Sequence, residues 1–437
     1  LKSTNKILSW KLPQISHGLA SGEISADQVI REVVAAKKRY QKIPIFLNFN
    51  EEAMRQQADS AKPHSKACGL AGIPVSVKDN MDVAGVTTTC GSSFYAKVTA
   101  VPAKDAPFVK LWLKRGAMLV GKTHLNEFAY GITGENPWFG DCTIPGASRH
   151  LTGGSSSGAA ASVVAGAAAI ALGTDTGGSL RVPAALCGLV SFRAPGWFPN
   201  HRGVVELAGS FDAMGWLNRH VSDISWIASA LFPDHREGVG KKGAFRIGIL
   251  EGSVLKNCES EVLEARDLFA RALTKLGHEL QAAQAEDWEM AGSVFTPVQA
   301  HEAWKVHRKW YQANPEGYSA PVRSRLEIGS KISRLAALKL YSEKKKLSQK
   351  LIKAFGDNDF LILPATPFRK LEAGKDQSQN RPLLLGLNTP ASVCGLPVLT
   401  VPWKSAKIIR GIGFQIIGRK GAEWSLVKFS ETLEKIF

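Results

Sequence analysis

The stretch that most constrains this chain is Thr152-Gly-Gly-Ser-Ser-Ser-Gly158, an alanine-rich run over 159–171, and then Gly173-Thr-Asp-Thr-Gly-Gly-Ser-Leu-Arg181. Two serine-containing turns of small residues flank one expected helix. Glycines at 177 and 178 let backbone N–H groups converge beside Ser179, and converging donors are what a developing oxyanion needs. That is the geometry of an acyl-transfer site. Around it, between residues 72 and 189, short apolar runs (73–77 and 117–120) and glycine-rich turns alternate with the helix, which points to an α/β sheet.

A serine hydroxyl is a weak nucleophile and needs a base. Upstream, Val75-Ser-Val-Lys78-Asp-Asn80 ends an apolar strand with a lysine. A lysine buried in a site is pushed towards its neutral form, able to accept a proton. Lys78 is therefore the candidate base.

Ser25-Ala-Asp-Gln28 reads as a capping box, and Val29, Ile30, Val33 and Val34 follow at helical spacing, so an amphipathic helix starts near residue 25. Residues 234–243 read as a loop leading into an apolar strand at 245–250. A helix is expected at 259–276, with a stop at Gly277. Residues 285–355 read as a mostly helical, cap-like excursion, and strands return at 360–363 and 397–401. The expected organisation is one α/β domain over 1–437 with a mixed central sheet covered by helices. It comprises an N-terminal helical part (1–70), a catalytic core (71–232) and a C-terminal part (245–437) carrying the excursion.

With 44% hydrophobic and 21% charged residues, a chain of 437 residues reads as folded and soluble. Its formal charge of +17 is read as a solvated surface rather than a nucleic-acid contact, because no interleaved aromatic pattern accompanies it. The densest basic stretch, 305–353 with Lys344, Lys345 and Lys346, reads as a solvated helix face. Six scattered cysteines, with no C-x-x-C pair, fit a reducing, cytoplasmic setting. Residues 1–10 contain no long apolar segment of a secretory leader, and no apolar run long enough to span a membrane follows.

The fragments Gly72-Ile-Pro-Val-Ser-Val-Lys-Asp-Asn80, Gly121-Lys-Thr123, Asn126-Glu-Phe128, 153–158, 173–184, Leu361-Ile-Leu-Pro-Ala-Thr-Pro367, 391–397 and Gly413-Phe-Gln-Ile-Ile-Gly418 together resemble the amidase signature family. They fall in family order over most of the chain. The resemblance implies a Ser-Ser-Lys triad: Ser179 attacks the carbonyl and is acylated, Ser155 passes its proton towards Lys78, and water deacylates the enzyme. It also implies a cis peptide bond before Ser155, and an oxyanion hole on the backbone N–H groups of Thr176, Gly177, Gly178 and Ser179. Ser156, Ser157, Asp175 and Arg181 are expected as supporting hydrogen-bond partners. Neither a metal nor an organic cofactor is required. The expected partner is a small-molecule amide, with a homodimer left open and nucleic acid not expected.

Competing readings differ in what they require. Gly116-Ala-Met-Leu-Val-Gly-Lys-Thr123 spells a Walker A pattern, but 117–120 reads as a strand where a phosphate cradle needs a loop. Gly154-Ser-Ser156-Ser-Gly158 spells a nucleophile elbow, yet no histidine follows His307. His301 and His307 beside Glu302 lack a metal-ligand spacing and are expected as surface helix residues. Trp138, Phe139, Trp197, Phe198 and Trp216 are expected mostly in the core. An idle amidase-like scaffold would not need Lys78, Ser155 and Ser179. The glutaminase component of a tRNA-dependent amidotransferase would hold the α-ammonium of glutamine, yet no acidic residue lies between Asp376 and Glu423. Also, Ser191-Phe-Arg-Ala-Pro departs from the family's usual Lys-Pro-Thr pattern. A free-standing amidase acting on an aryl or aliphatic amide is the leading expectation.

Overall fold

The computed structural model describes residues 7–60, 69–235, 243–403 and 410–436. Residues 1–6, and 236–242 of the expected loop, lie outside them. Strand β2 (Pro74–Lys78) is buried at every position, as a strand covered on both faces must be, and so reads as an apolar run rather than an alternation. Its neighbours are β3 (Met118–Thr123) and β6 (Ile170–Thr174). Both run parallel to it, with Val75 opposite Leu119 on one side and Ile170 on the other.

The remaining strands are β1 (Phe46–Phe49), the β4–β5 pair (Thr143–Ile144 and Ala147–Leu151), β7 (Val190–Arg193), β8 (Met214–Asn218), β9 (Arg246–Glu251), β10 (Glu279–Gln284), β11 (Phe360–Pro364), β12 (Val398–Pro402) and β13 (Gly413–Gly418). Apart from the separate β4–β5 pair, they join one mixed sheet in the order β1-β3-β2-β6-β8-β7-β12-β13-β11-β9-β10. The parallel β3-β2-β6 group gives way to antiparallel pairing at β6–β8, with Thr174 opposite Met214. Lys78 and Thr174 end adjacent parallel strands and so emerge at the same edge, where clefts form in open α/β sheets.

The helix beside this edge, Ser157–Ala165, is buried on nearly every side. Small residues let it sit this close: a Cβ at Gly158 would fall 2.4 Å from Ile45 O and 2.5 Å from His124 N. The alanine-rich run is not one helix to residue 171. Gly166, with φ +74°, caps the helix after Ala165, and only the last two residues of the run, Ile170 and Ala171, enter β6, between β2 and β8.

The Ser25 capping box forms as expected at the head of the Ala26–Arg39 helix, and the Ser260–Lys275 helix precedes Gly277, whose φ is +89°. The excursion consists of helices Ala291–Ala313, Ala320–Ser330 and Arg334–Leu351. His307 departs from the surface expectation. It is fully buried against Phe128 and Tyr318, and burial pushes its imidazole down to about 3, so it is a neutral core residue. Trp197, Phe198 and Trp216 join the main core. Trp138 and Phe139 do not: they are 38% and 37% exposed, the first held by its indole N–H on Glu127.

Candidate active site

Lys78 closes β2 with its ammonium stem inside the protein. Its Nζ donates to Ser155 Oγ at 2.8 Å and to Thr174 Oγ1 at 2.8 Å. Burial pushes the Lys78 amine down to about 7, while the negative charges of Asp175 and Asp212 pull the other way. A base poised near neutrality can accept a proton at physiological pH. Asn80 Nδ2 donates to the same Thr174 hydroxyl at 3.2 Å.

Ser155 is reached through a turn in which Gly153 takes φ +75°, and the Gly154–Ser155 peptide is cis, as the resemblance implied. The next residue links the two serine turns. Ser156 N–H donates to Ser179 O at 3.2 Å and its hydroxyl to Thr174 O at 3.2 Å. The Ser156 hydroxyl is thus committed to a backbone carbonyl and, among the described residues, bonds to no histidine. Ser157 Oγ pairs with His124 Nδ1 at 2.7 Å.

The second turn is organised by Asp175. Its carboxylate accepts from Gly178 N–H at 2.9 Å and Leu180 N–H at 3.0 Å, and takes Arg181 through Nη2 at 2.7 Å and Nε at 3.0 Å. Arg193 Nε stands 3.4 Å from the same carboxylate. Burial alone would raise this acid, but the two guanidinium groups and the N–H donors outweigh it and hold Asp175 well below the usual carboxylate range. Arg181 carries the bracing outward: Nη1 donates to Asn388 O and Gln415 Oε1, both at 2.7 Å, and Nη2 to Ser392 Oγ at 2.9 Å.

One expected oxyanion donor is thereby removed. The Gly178 N–H is engaged by Asp175, whereas among the described residues the N–H groups of Thr176, Gly177 and Ser179 make no hydrogen bond. Gly178 is instead required for its conformation. Its φ is +120°, and a Cβ there would lie 2.7 Å from Asn388 Cγ. The Thr176 hydroxyl donates to Asp212.

The Walker-like lysine is structural. Residues 118–123 are strand β3, and Lys122 Nζ makes a fully buried ion pair with Asp79 at 2.7 Å. No three-residue group of His, Cys, Asp or Glu able to hold a metal occurs among the described residues, and none of their helices is long and apolar enough to cross a membrane.

Ser179 opens into a narrow cleft of about 10 Å³, lined also by Tyr130, Thr176, Gly177, Gln299, Arg381 and Leu385. Tyr130 and Arg381 also line an outer chamber of about 350 Å³. A larger, more open cleft of about 910 Å³ around Asp82, His201 and Trp310 does not reach the serine. Sequence reasoning missed Thr174, Arg193, Gln299 and Arg381. Thr174 stood inside the 173–181 motif and could have been found. Arg381 carried no local signal.

The family model described as Amidase matches residues 28–427. The A-type component of the glutamyl-tRNA(Gln) amidotransferase of Symbiobacterium thermophilum is 26% identical, over 95% of this chain and 94% of its own. That of Exiguobacterium sibiricum is 29% identical, over 94% of each. Among solved structures, an amidase superposes with a TM-score of 0.88 at 27% identity, covering 98% of this chain and 100% of that one. An inhibitor-bound complex bearing on the origins of an s-triazine catabolic enzyme superposes at 0.86 with 28% identity, covering 98% of each chain. With a match along almost its whole length and a buried lysine bonded to a serine beside a glycine-rich serine turn, the chain belongs to the amidase family.

Proposed function

We propose that the chain hydrolyses a carboxylic amide through an acyl-enzyme on Ser179. The single observation that carries this reading is the buried Lys78 amine, lowered to about 7 and 2.8 Å from Ser155 Oγ. Ser179 Oγ attacks the amide carbon while its proton passes to Ser155 Oγ, whose own proton goes to Lys78 Nζ. The developing oxyanion is received by the N–H groups of Thr176, Gly177 and Ser179. Lys78 returns the proton through Ser155 to the leaving nitrogen, which departs as ammonia or an amine. Water then attacks the acyl-enzyme by the same relay, so that amide and water give acid and ammonia or amine. Among the described residues Ser179 Oγ makes no hydrogen bond; such contacts often tighten only with substrate in place.

A second reading is favoured by the relatives, several of them A-type components of glutamyl-tRNA(Gln) amidotransferases at 26–29% identity over nearly complete chains. In it the same chemistry releases ammonia from glutamine for a partner protein. Against it, Leu385 and Arg381 line the inner cleft, with no carboxylate there for an α-ammonium.

The test is intact-mass labelling with a fluorophosphonate, peptide mapping, and ammonia release from amides. One adduct on Ser179, with turnover lost in Ser179→Ala, is the expected result. Label on Ser156, or turnover surviving in Ser179→Ala, overturns the proposal.

A further inference from the structure

Arg381 stands in the first turn of the Asn380–Val393 helix, one turn before Leu385 on the same face, and both line the cleft that holds Ser179. A cation at a helix N-terminus opposes the helix dipole. It is also largely desolvated, and burial together with the like charge of Arg325 pushes its guanidinium down to about 10. Three unfavourable terms meet on one side chain.

Only Tyr130 pulls the other way. Among the described residues no carboxylate pairs with Arg381. Its Nε has no hydrogen-bond partner, and Nη2 reaches only Gln299 Oε1 at 3.5 Å. Arg325, across the outer chamber, lies over the Tyr130 ring and donates to Tyr130 O. The chamber's acids form no ion pair with Arg381, and three of them accept hydrogen bonds from other groups. Glu127 accepts from Trp138 and Ser319, Glu135 from Thr133, and Asp376 from Ser378. Asp141 stands near Glu135 and, with Asp376, disfavours its ionisation.

A partly buried guanidinium whose buried Nε has no partner among the described residues, on the wall shared by the nucleophile's cleft and the outer chamber, is suited to receive a planar anion. We infer that the substrate is an amide whose acyl part carries a carboxylate and no ammonium, and that Arg381 receives that carboxylate. This rests on the amide-hydrolysis reading above. Leu385 gives the cleft an apolar wall against the short chain between the two groups.

The experiment compares three four-carbon amides of similar size in ammonia release: succinamate (anionic), butyramide (neutral) and 4-aminobutyramide (cationic), with glutamine as a fourth. The expected kcat/KM for succinamate exceeds that for butyramide by about tenfold or more, the range of a charge-assisted hydrogen bond, and both exceed 4-aminobutyramide. In Arg381→Leu the succinamate-to-butyramide ratio collapses towards one, and Arg381→Lys, which keeps the charge but not the planar fork, keeps part of it. Succinate slows fluorophosphonate labelling of Ser179 in the wild type and loses this effect in Arg381→Leu. A wild-type ratio near one, a preference for 4-aminobutyramide or glutamine, or a ratio unmoved in Arg381→Leu overturns the inference while leaving amide hydrolysis standing. So does Ser179 that labels normally without protection by succinate and without turnover of succinamate. Absence of both label and turnover overturns the hydrolase reading and this inference together.

Discussion

Lys78 Nζ lies 2.8 Å from Ser155 Oγ, and both side chains are fully buried. A charged ammonium is costly there, and burial lowers the amine's affinity for protons to about 7, so that near neutral pH a share of it is uncharged. The two residues stand 77 positions apart in sequence and meet because the end of β2 faces the turn preceding the Ser157–Ala165 helix.

A pH profile follows from the sign of the Lys78 shift. Below about pH 7 the amine is protonated and cannot act as base, so kcat/KM should rise about tenfold per pH unit and level off above about 7. Lys78→Ala should lower acylation by about 10²–10⁴-fold and abolish that limb. A profile unchanged in Lys78→Ala would remove the base assignment.

Ser179→Ala should reduce kcat by about 10³-fold or more with the melting temperature nearly unchanged, since its hydroxyl makes no hydrogen bond with described residues. Circular dichroism melts and single-turnover ammonia release check both halves. A variant that loses the melt as well would make Ser179 a structural residue.

Asp175→Asn should destabilise the fold by about 3–5 kcal/mol, because Arg181 and Arg193 would be left buried without their anion. Since the folded Asp175 holds its proton more weakly than the unfolded carboxyl does, its contribution is full above the ordinary carboxylate range. It is lost as the pH falls through that range and below. Urea titrations at pH 7 and pH 3 should show the wild type and Asp175→Asn converging at the lower pH; a constant difference would contradict the linkage.

Much of this site was legible because its polar residues are local. The two serine turns and the strand ending in Lys78 lie in short motifs whose chemistry is readable from residue type. The bracing was not. Arg181 meets Asn388, Ser392 and Gln415 across more than 200 positions, where the Asn380–Val393 helix and strand β13 come to lie beside the Asp175 turn. The alanine run misled because alanine suits both a helix and a tightly packed strand, and the αL glycine at 166 decides between them. His307 misled because helical spacing among lysines gave no sign that its face turns into the Phe128–Tyr318 aromatic cluster.

Thr174 offers a finer test of how Lys78 is tuned. Its hydroxyl accepts from Lys78 Nζ at 2.8 Å, and a hydrogen bond to the charged form favours that form. Removing the acceptor in Thr174→Val, which keeps the side chain's shape, should lower the Lys78 pKa further and move the acid limb of kcat/KM to lower pH. Thr174→Ser should leave the limb in place. The plateau rate should fall modestly in Thr174→Val, since Asn80 also loses its partner and the amine is less firmly aimed at Ser155. A limb that moves to higher pH in Thr174→Val would mean that the hydroxyl acts on Lys78 by excluding water, not by holding the ammonium.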